Sequence, residues 1–125
     1  MELKNFIAGE WVAPARARYV SKTNPATGAT LAQVPLSDAS DVDRAIAAAA
    51  AAFPTWRRVP APKRGEILFR VGRRLEERKD DLARLMTAEM GKVLTEARGD
   101  VQEAIDMAYY MAGEGRRSFG YTTPS

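Results

Sequence analysis

The sequence contains no cysteine and no histidine. The first absence excludes disulfides, thiolate metal sites and a cysteine nucleophile within these residues. The second removes the commonest general base and the commonest metal ligand. Long apolar runs are lacking as well. The most apolar stretch, residues 45–53, is far too short to cross a bilayer. Residues 1–5 carry no apolar core of the signal-peptide kind. The expectation is a soluble cytoplasmic protein with no membrane partner. Charge of one sign is also scarce, with 19 basic against 16 acidic residues and a net charge of +3. That excess is too slight to argue for nucleic acid. Nine basic residues do gather between Trp56 and Lys79: Arg57, Arg58, Lys63, Arg64, Arg70, Arg73, Arg74, Arg78 and Lys79. They alternate with a regular apolar stripe, so they read as the solvated face of a helix rather than a phosphate-binding surface. No nucleic-acid partner is expected.

What is present suits one modest globular domain. The chain has 125 residues, 46% of them hydrophobic and 28% charged, the balance of a soluble fold rather than a disordered tail. A chain of this length has little surplus stability. Its first third reads as short strands and turns. Phe6-Ile7 and Trp11-Val12 flank Ala8-Gly9-Glu10, which predicts a tight hairpin with a glycine turn. A β-prone run from Tyr19 to Thr23 is followed by the turn Asn24-Pro25-Ala26-Thr27-Gly28 and a further strand from Thr30 to Val34. The Tyr19 and Thr30 runs are the expected partners.

Helices are predicted from Ser40 onward. Ser40 with Asp43 makes a capping-box pattern, and Val42, Ala45, Ile46, Ala49 and Phe53 form one apolar face. Pro54 is expected to stop this helix. A second should start near Pro62 with Ile67, Leu68, Val71 and Leu75 inward. A third, capped by Asp80 or Asp81, turns Leu82, Leu85 and Met86 inward and ends at Gly91 as a left-handed cap. The last is expected from about Leu94 to about Arg117, with an inner face of Leu94, Ala97, Val101, Ala104, Ile105, Ala108 and Ala112. So many small residues imply close approach to another element. Gly113, Gly115 and Gly120 loosen its end. Residues 1–38 are thus strands and turns, and residues 39–125 a helical part. Strands and helices do not alternate, so this chain itself is α+β and holds no doubly wound nucleotide domain.

A search for catalytic apparatus returns little. Gly91-Lys92 is not a phosphate-binding loop, because Met86 replaces the first glycine and Val93 the hydroxyl residue. Gly113-Glu114-Gly115 lacks the third glycine and follows no strand. The acidic pairs Glu76-Glu77 and Asp80-Asp81 read as solvated helix ends, since adjacent residues do not face each other on a helix. Tyr109-Tyr110 reads as one packed and one partly exposed tyrosine.

Specific strings carry more than composition. Phe6-Ile7-Ala8-Gly9-Glu10-Trp11 matches F-I-x-G-E-W, and residues 24–28 match N-P-A-T-G. Val42, Ala45, Ala48, Ala49, Ala52, Phe53, Trp56 and Arg57 fit V-x-x-A-x-x-A-A-x-x-A-F-x-x-W-R. Arg64, Ile67 and Leu68 fit R-x-x-I-L, and Glu89-Met90-Gly91-Lys92 fits E-x-G-K. Residues 96–101 and 109–113 fit E-A-x-x-[DE]-V and Y-Y-x-A-G. In this order, over about residues 5–125, the strings resemble the N-terminal segment of the aldehyde dehydrogenase superfamily. The phrase Gly99-Asp100-Val101-Gln102-Glu103 leans towards its semialdehyde-oxidising branches.

The resemblance implies a piece of an α/β fold whose Rossmann-like cofactor domain, catalytic domain and oligomerisation hairpin are built elsewhere. Residues 39–125 would be the helical start of the cofactor-domain region, one incomplete structural unit. The whole enzyme would oxidise an aldehyde or semialdehyde to a carboxylic acid with NAD or NADP. In that mechanism a thiolate attacks the aldehyde carbon, hydrogen-bond donors hold the oxyanion, hydride passes to nicotinamide and a glutamate helps water release the acid. None of those catalytic or cofactor-binding residues maps onto this sequence, so the chain alone is expected to be inactive and to bind no cofactor. The expected partners are the remainder of the polypeptide and, in the intact enzyme, further copies of it. The sequence from Thr122 to Ser125 stands where the family enters its first oligomerisation strand. The resemblance also assigns Glu103, Met107 and Tyr110 to the border of the substrate tunnel. Glu103 could select a cationic semialdehyde there, or be an exposed helix carboxylate. The backbone carbonyl of Thr23, with Glu89, is implied in a structural monovalent cation site. Two further expectations follow: apolar helix faces left exposed, and, as the alternative, a non-enzymatic helical interaction module derived from such an enzyme. The retained apolar character of Val42, Ile46, Ile67, Leu75, Leu85 and Ile105 argues against the alternative.

Overall fold

The computed structural model describes residues 1–117. Their order is β1 (Asn5–Ile7), β2 (Glu10–Val12), β3 (Tyr19–Thr23), β4 (Thr30–Pro35), α1 (Ala39–Trp56), α2 (Ala61–Glu77), α3 (Lys79–Met90) and α4 (Leu94–Glu114). The chain is α+β, with two short antiparallel pairs, β1–β2 and β3–β4. It divides into two compact units: residues 1–58 with 88–91, and residues 59–87 with those from 92 on.

In the first unit, β1 and β2 pair Phe6 with Trp11 and Ile7 with Glu10. The two residues between them, Ala8 and Gly9, both have positive φ, 55° and 86°. Such a turn matches the right-handed twist of the strands. The β3–β4 pair runs from Tyr19–Pro35 to Thr23–Thr30, with a register shift between Lys22 and Thr23. Its turn closes as expected. The Asn24 side chain accepts from the Ala26 N–H at 2.9 Å, and the Gly28 N–H donates to the Asn24 carbonyl at 2.8 Å. Not anticipated is a parallel bridge between Glu2 and Gln33, in which the Leu3 N–H donates to the Gln33 carbonyl at 2.9 Å.

Helix α1 corrects two expectations. Its cap is Asp38, not Ser40, and the reciprocal capping box is Asp38 with Asp41. The same i, i+3 spacing occurs two residues earlier than read, and it wins because Asp41 does more there. Asp41 is 3% exposed. Its carboxylate accepts from the Ala15 N–H at 3.0 Å, the Asp38 N–H at 3.2 Å and Arg44 Nη2 at 2.8 Å. One side chain thus closes the helix N-terminus and holds the segment after β2. The second correction is Pro54, which lies inside α1. In the final turn its missing N–H forfeits one bond only, and the Arg57 N–H still reaches the Phe53 carbonyl at 2.8 Å. The apolar face of α1 is exposed, as expected: Val42, Ile46 (61%) and Phe53 all face outward.

The second unit is helical. α2 starts at Ala61, with Pro62 in its first turn. Its buried residues are Gly65 and Gly72, whereas Ile67 and Val71, read as inward, are exposed. The glycines win because α4 approaches too closely for a side chain. A Cβ on Gly65 would lie 2.4 Å from the Ala112 carbonyl oxygen, and one on Gly72 would lie 2.7 Å from the Tyr109 ring. On α3, Ala83 is fully buried and Leu82 and Met86 are half-buried, but Leu85 is exposed. Ala83, one position from Leu82, takes the buried place in the core cluster. Gly91, φ 78°, follows α3 as the left-handed cap. On α4, Ala97, Val101, Ile105, Ala108 and Ala112 are buried as read, but Ala104 is exposed. It lies on the edge of the apolar arc, away from α2. Ile105, 1% exposed, centres the core with Ala83, Ala97 and Val101. Burying such a side chain contributes about 1.5–3 kcal/mol. α4 ends at Glu114, short of Arg117, where the Arg116 and Arg117 N–H groups turn back to the Gly113 and Glu114 carbonyls at 3.0 Å. The readings at Gly120 and at residues 122–125 lie outside the described residues.

Candidate functional site

The strongest candidate surface is the outward face of α4. Ala97, Val101, Ile105, Ala108 and Ala112 recur at helical spacing and bury one side. The opposite side carries Glu103, Met107 and Tyr110 at i, i+4 and i+7. All three are exposed, Met107 at 58% and Tyr110 at 63%. The structure thus brings the three sequence-predicted tunnel residues onto one face. That face carries a carboxylate, a flexible thioether and a phenol ring side by side.

The two tyrosines diverge. Tyr110 points outward. The Tyr109 ring is half-buried against the core, 6.0 Å from the Phe69 ring centroid, and its hydroxyl donates to Glu76 Oε2 at 2.7 Å. That bond to a carboxylate is the main cause that raises the Tyr109 pKa above the ordinary phenol value. Sequence reading expected one packed and one partly exposed tyrosine without saying which, and missed the bond to Glu76. The signal was present as two glycines seven apart on α2, which mark one helix face made for close approach.

Near the start of α4, Lys92 binds Asp100. This hydrogen bond is the first cause that raises the Lys92 pKa, with Glu96 and Glu103 adding to it by charge. Glu103 therefore stands in the field of a paired lysine. On the far side of α4, Arg98 Nε donates to Asp80 Oδ1 at 2.9 Å and lowers the Asp80 pKa.

The Thr23 and Glu89 pair falls in the first unit. Lys22, beside Thr23, places its Nζ 3.6 Å from Glu89 Oε1. A Cβ on Gly91 would lie 3.2 Å from Pro25 Cγ. The turn after β3 and the turn after α3 are thus neighbours. The Glu89 charge is already matched by Lys22, and no cluster of three or more acidic side chains suited to a metal occurs among the described residues. Any ion here would rely on backbone carbonyls. Among the described residues both sheets are antiparallel pairs, and no strand leads through a glycine turn into a helix. No described helix is long and apolar enough to cross a membrane.

This arrangement of hairpins and small-residue helices matches a known class of protein. Residues 11–125 match the aldehyde dehydrogenase family, and the chain belongs to that family as an N-terminal segment. It is 50% identical over 111 residues to malonate-semialdehyde dehydrogenase 3 of Geobacillus kaustophilus (strain HTA426), covering 89% of this chain and 23% of that protein. Among solved structures, an E. coli NADP-dependent enzyme is 40% identical with a TM-score of 0.93, over 99% of this chain and 26% of its own. PnpE in complex with nicotinamide adenine dinucleotide is 29% identical with a TM-score of 0.93, over 100% of this chain and 26% of its own. The chain spans about a quarter of the length of these relatives.

Proposed function

We propose that this chain is the N-terminal part of an NAD(P)-dependent semialdehyde dehydrogenase and that it supplies scaffold and substrate-tunnel surface but no catalytic group. The observation that carries the reading is the 50% identity to a malonate-semialdehyde dehydrogenase. The substrate class is a short semialdehyde, oxidised to the acid. The absence of cysteine leaves these residues without the thiolate that the family chemistry needs. The cofactor, NAD or NADP, would be held by later parts of the polypeptide, as would the surfaces that assemble a cytoplasmic homo-oligomer.

Met107 and Tyr110 would line the aldehyde entrance. Glu103 would border it, and here the two readings of that residue part. A carboxylate in the tunnel repels an anionic semialdehyde such as malonate semialdehyde, so Glu103 fits better as an exposed helix carboxylate. Thr23 and Glu89 remain the proposed pair for a monovalent cation, with Lys22 as the competing charge.

The test compares the complete polypeptide with residues 1–125 alone, on malonate semialdehyde and each nicotinamide cofactor, following cofactor reduction. Turnover by the complete protein and none by the 125 residues is expected. Turnover by the short chain, or none by the complete protein with any aldehyde, would sink the reading. The alternative, a helical interaction module, draws on exposed apolar side chains such as Ile46 and Phe53 on α1 and Leu85 on α3. It requires a native protein no longer than this chain, which an intact mass from the source cell decides.

A further inference from the structure

Resting on the tunnel reading of the α4 face, we propose that Tyr109 and Glu76 are positioning residues that set the rotation of α4 and thereby the shape of the substrate entrance. A helix turns about 100° per residue. From Tyr109, the side chains of Glu103, Met107 and Tyr110 leave the helix within a sector roughly 60° wide, on the other side. Wherever Tyr109 is fixed, that sector is fixed with it.

Tyr109 is held at three points. Its ring lies over Gly72, where a Cβ would be 2.7 Å from Cε1 and 2.9 Å from Cζ. The ring stacks near Phe69, centroids 6.0 Å apart at a tilt of 43°. The hydroxyl is tied to Glu76 Oε2 at 2.7 Å. Gly72 and Glu76 are one helical turn apart on α2, so the ring and its hydroxyl are gripped by a single rigid element. A second close approach, Gly65 against the Ala112 carbonyl, limits how far the helices can slide. Without the hydroxyl bond the ring keeps its bed but loses its tether. α4 can then rotate by a small angle, which moves Tyr110 and Met107 without touching them. No bond to substrate is involved, so the effect falls on fit rather than on chemistry.

The experiment uses the complete dehydrogenase polypeptide carrying this segment, assayed with a small and a bulky aldehyde. Tyr109→Phe, which keeps the ring, should raise KM for the bulky aldehyde roughly fivefold with kcat little changed, and should spare the small one. Glu76→Ala should do the same, and the double variant should be no worse than either, because both remove one bond. Glu76→Gln keeps an acceptor oxygen and should restore near-native KM. Tyr110→Ala serves as the reference for the tunnel itself. If Tyr110→Ala alters the KM ratio and Tyr109→Phe does not, the positioning role is overturned while the tunnel stands. If neither alters it, the tunnel reading fails and takes this proposal with it. A uniform loss of kcat and Tm across both aldehydes would mark Tyr109 as merely structural and also overturn the proposal.

Discussion

The two units reach order by different means. The first, residues 1–58 with 88–91, has Pro14 and Ala32 as its buried apolar residues and Asp41 as its buried polar one. Phe6, Trp11, Val20, Val42, Ile46 and Phe53 all lie exposed around them. Turns, strand pairs and one carboxylate hold it. The second unit has a dry core of Ala83, Ala97, Val101 and Ile105, reached by putting glycine where α2 meets α4. Small residues let helix backbones come close, and dispersion over many contacts then replaces large side chains. The exposed apolar side chains of the first unit match a segment that spans a quarter of its relatives, and patches of this kind favour association.

The contrast can be broken by substitution. The largest effect should come from Ile105→Ala. It opens a cavity in the only part of the described chain with a dry helix core, at about 2–5 kcal/mol. Hydrogen exchange should lose protection in α2 and α4 and keep it in β3 and β4. Equal loss in both sets would show that the units are not separately held. Next, Asp41→Ala leaves the Ala15 and Asp38 N–H groups without their acceptor, at about 1–3 kcal/mol. Exchange should now quicken at the start of α1 and around Ala15, with α4 unaffected. Should α1 amides keep their protection, the single-carboxylate account of the first unit fails.

The smallest effect is that of pH. Asp38 is held below the ordinary carboxylate value, first by its bond from the Ser40 hydroxyl, and Asp80 likewise by Arg98. Their contributions are present above about pH 3.8 and are lost as pH falls through the lowered folded values. Tyr109 and Lys92 are raised, by Glu76 and Asp100. Their contributions are complete below about pH 10 and 10.5 and are lost as pH rises through the raised values. Asp38 lies in the first unit and Asp80, Tyr109 and Lys92 in the second. An acid titration should therefore loosen the α1 cap and the Asp80–Arg98 pair together, whereas an alkaline one should loosen the α2–α4 and Lys92–Asp100 contacts. Helix signal lost at alkaline pH but retained by Tyr109→Phe would confirm the site of the latter change, and an identical loss in that variant would discard it.

The hairpin around Ala8-Gly9, the Asn24–Gly28 turn, the pairing of the Tyr19 and Thr30 runs and the cap at Gly91 were all legible in the sequence. Each depends on residues a few positions apart, and turn chemistry acts at that range. The α1 cap was legible as a spacing but was placed two residues late, because Ser40–Asp43 and Asp38–Asp41 look alike until Ala15 arrives from across the chain. The buried face of α4 was legible through helical periodicity, whereas Glu103, Met107 and Tyr110 were singled out by the family resemblance alone. The grip on Tyr109 was not, since Glu76 lies 33 positions away.

Amino-acid order by itself determined the α+β class, the four helices, the turns and the family, because local propensity, periodicity and string matching need no folded partner. The tertiary structure alone decided which side of α2 is inside. An apolar stripe says that a face seeks cover, but not which element will cover it. Here α4 came so near that only the hydrogen atoms of Gly65 and Gly72 fit between the helices, and Ile67 and Val71 were left facing outward.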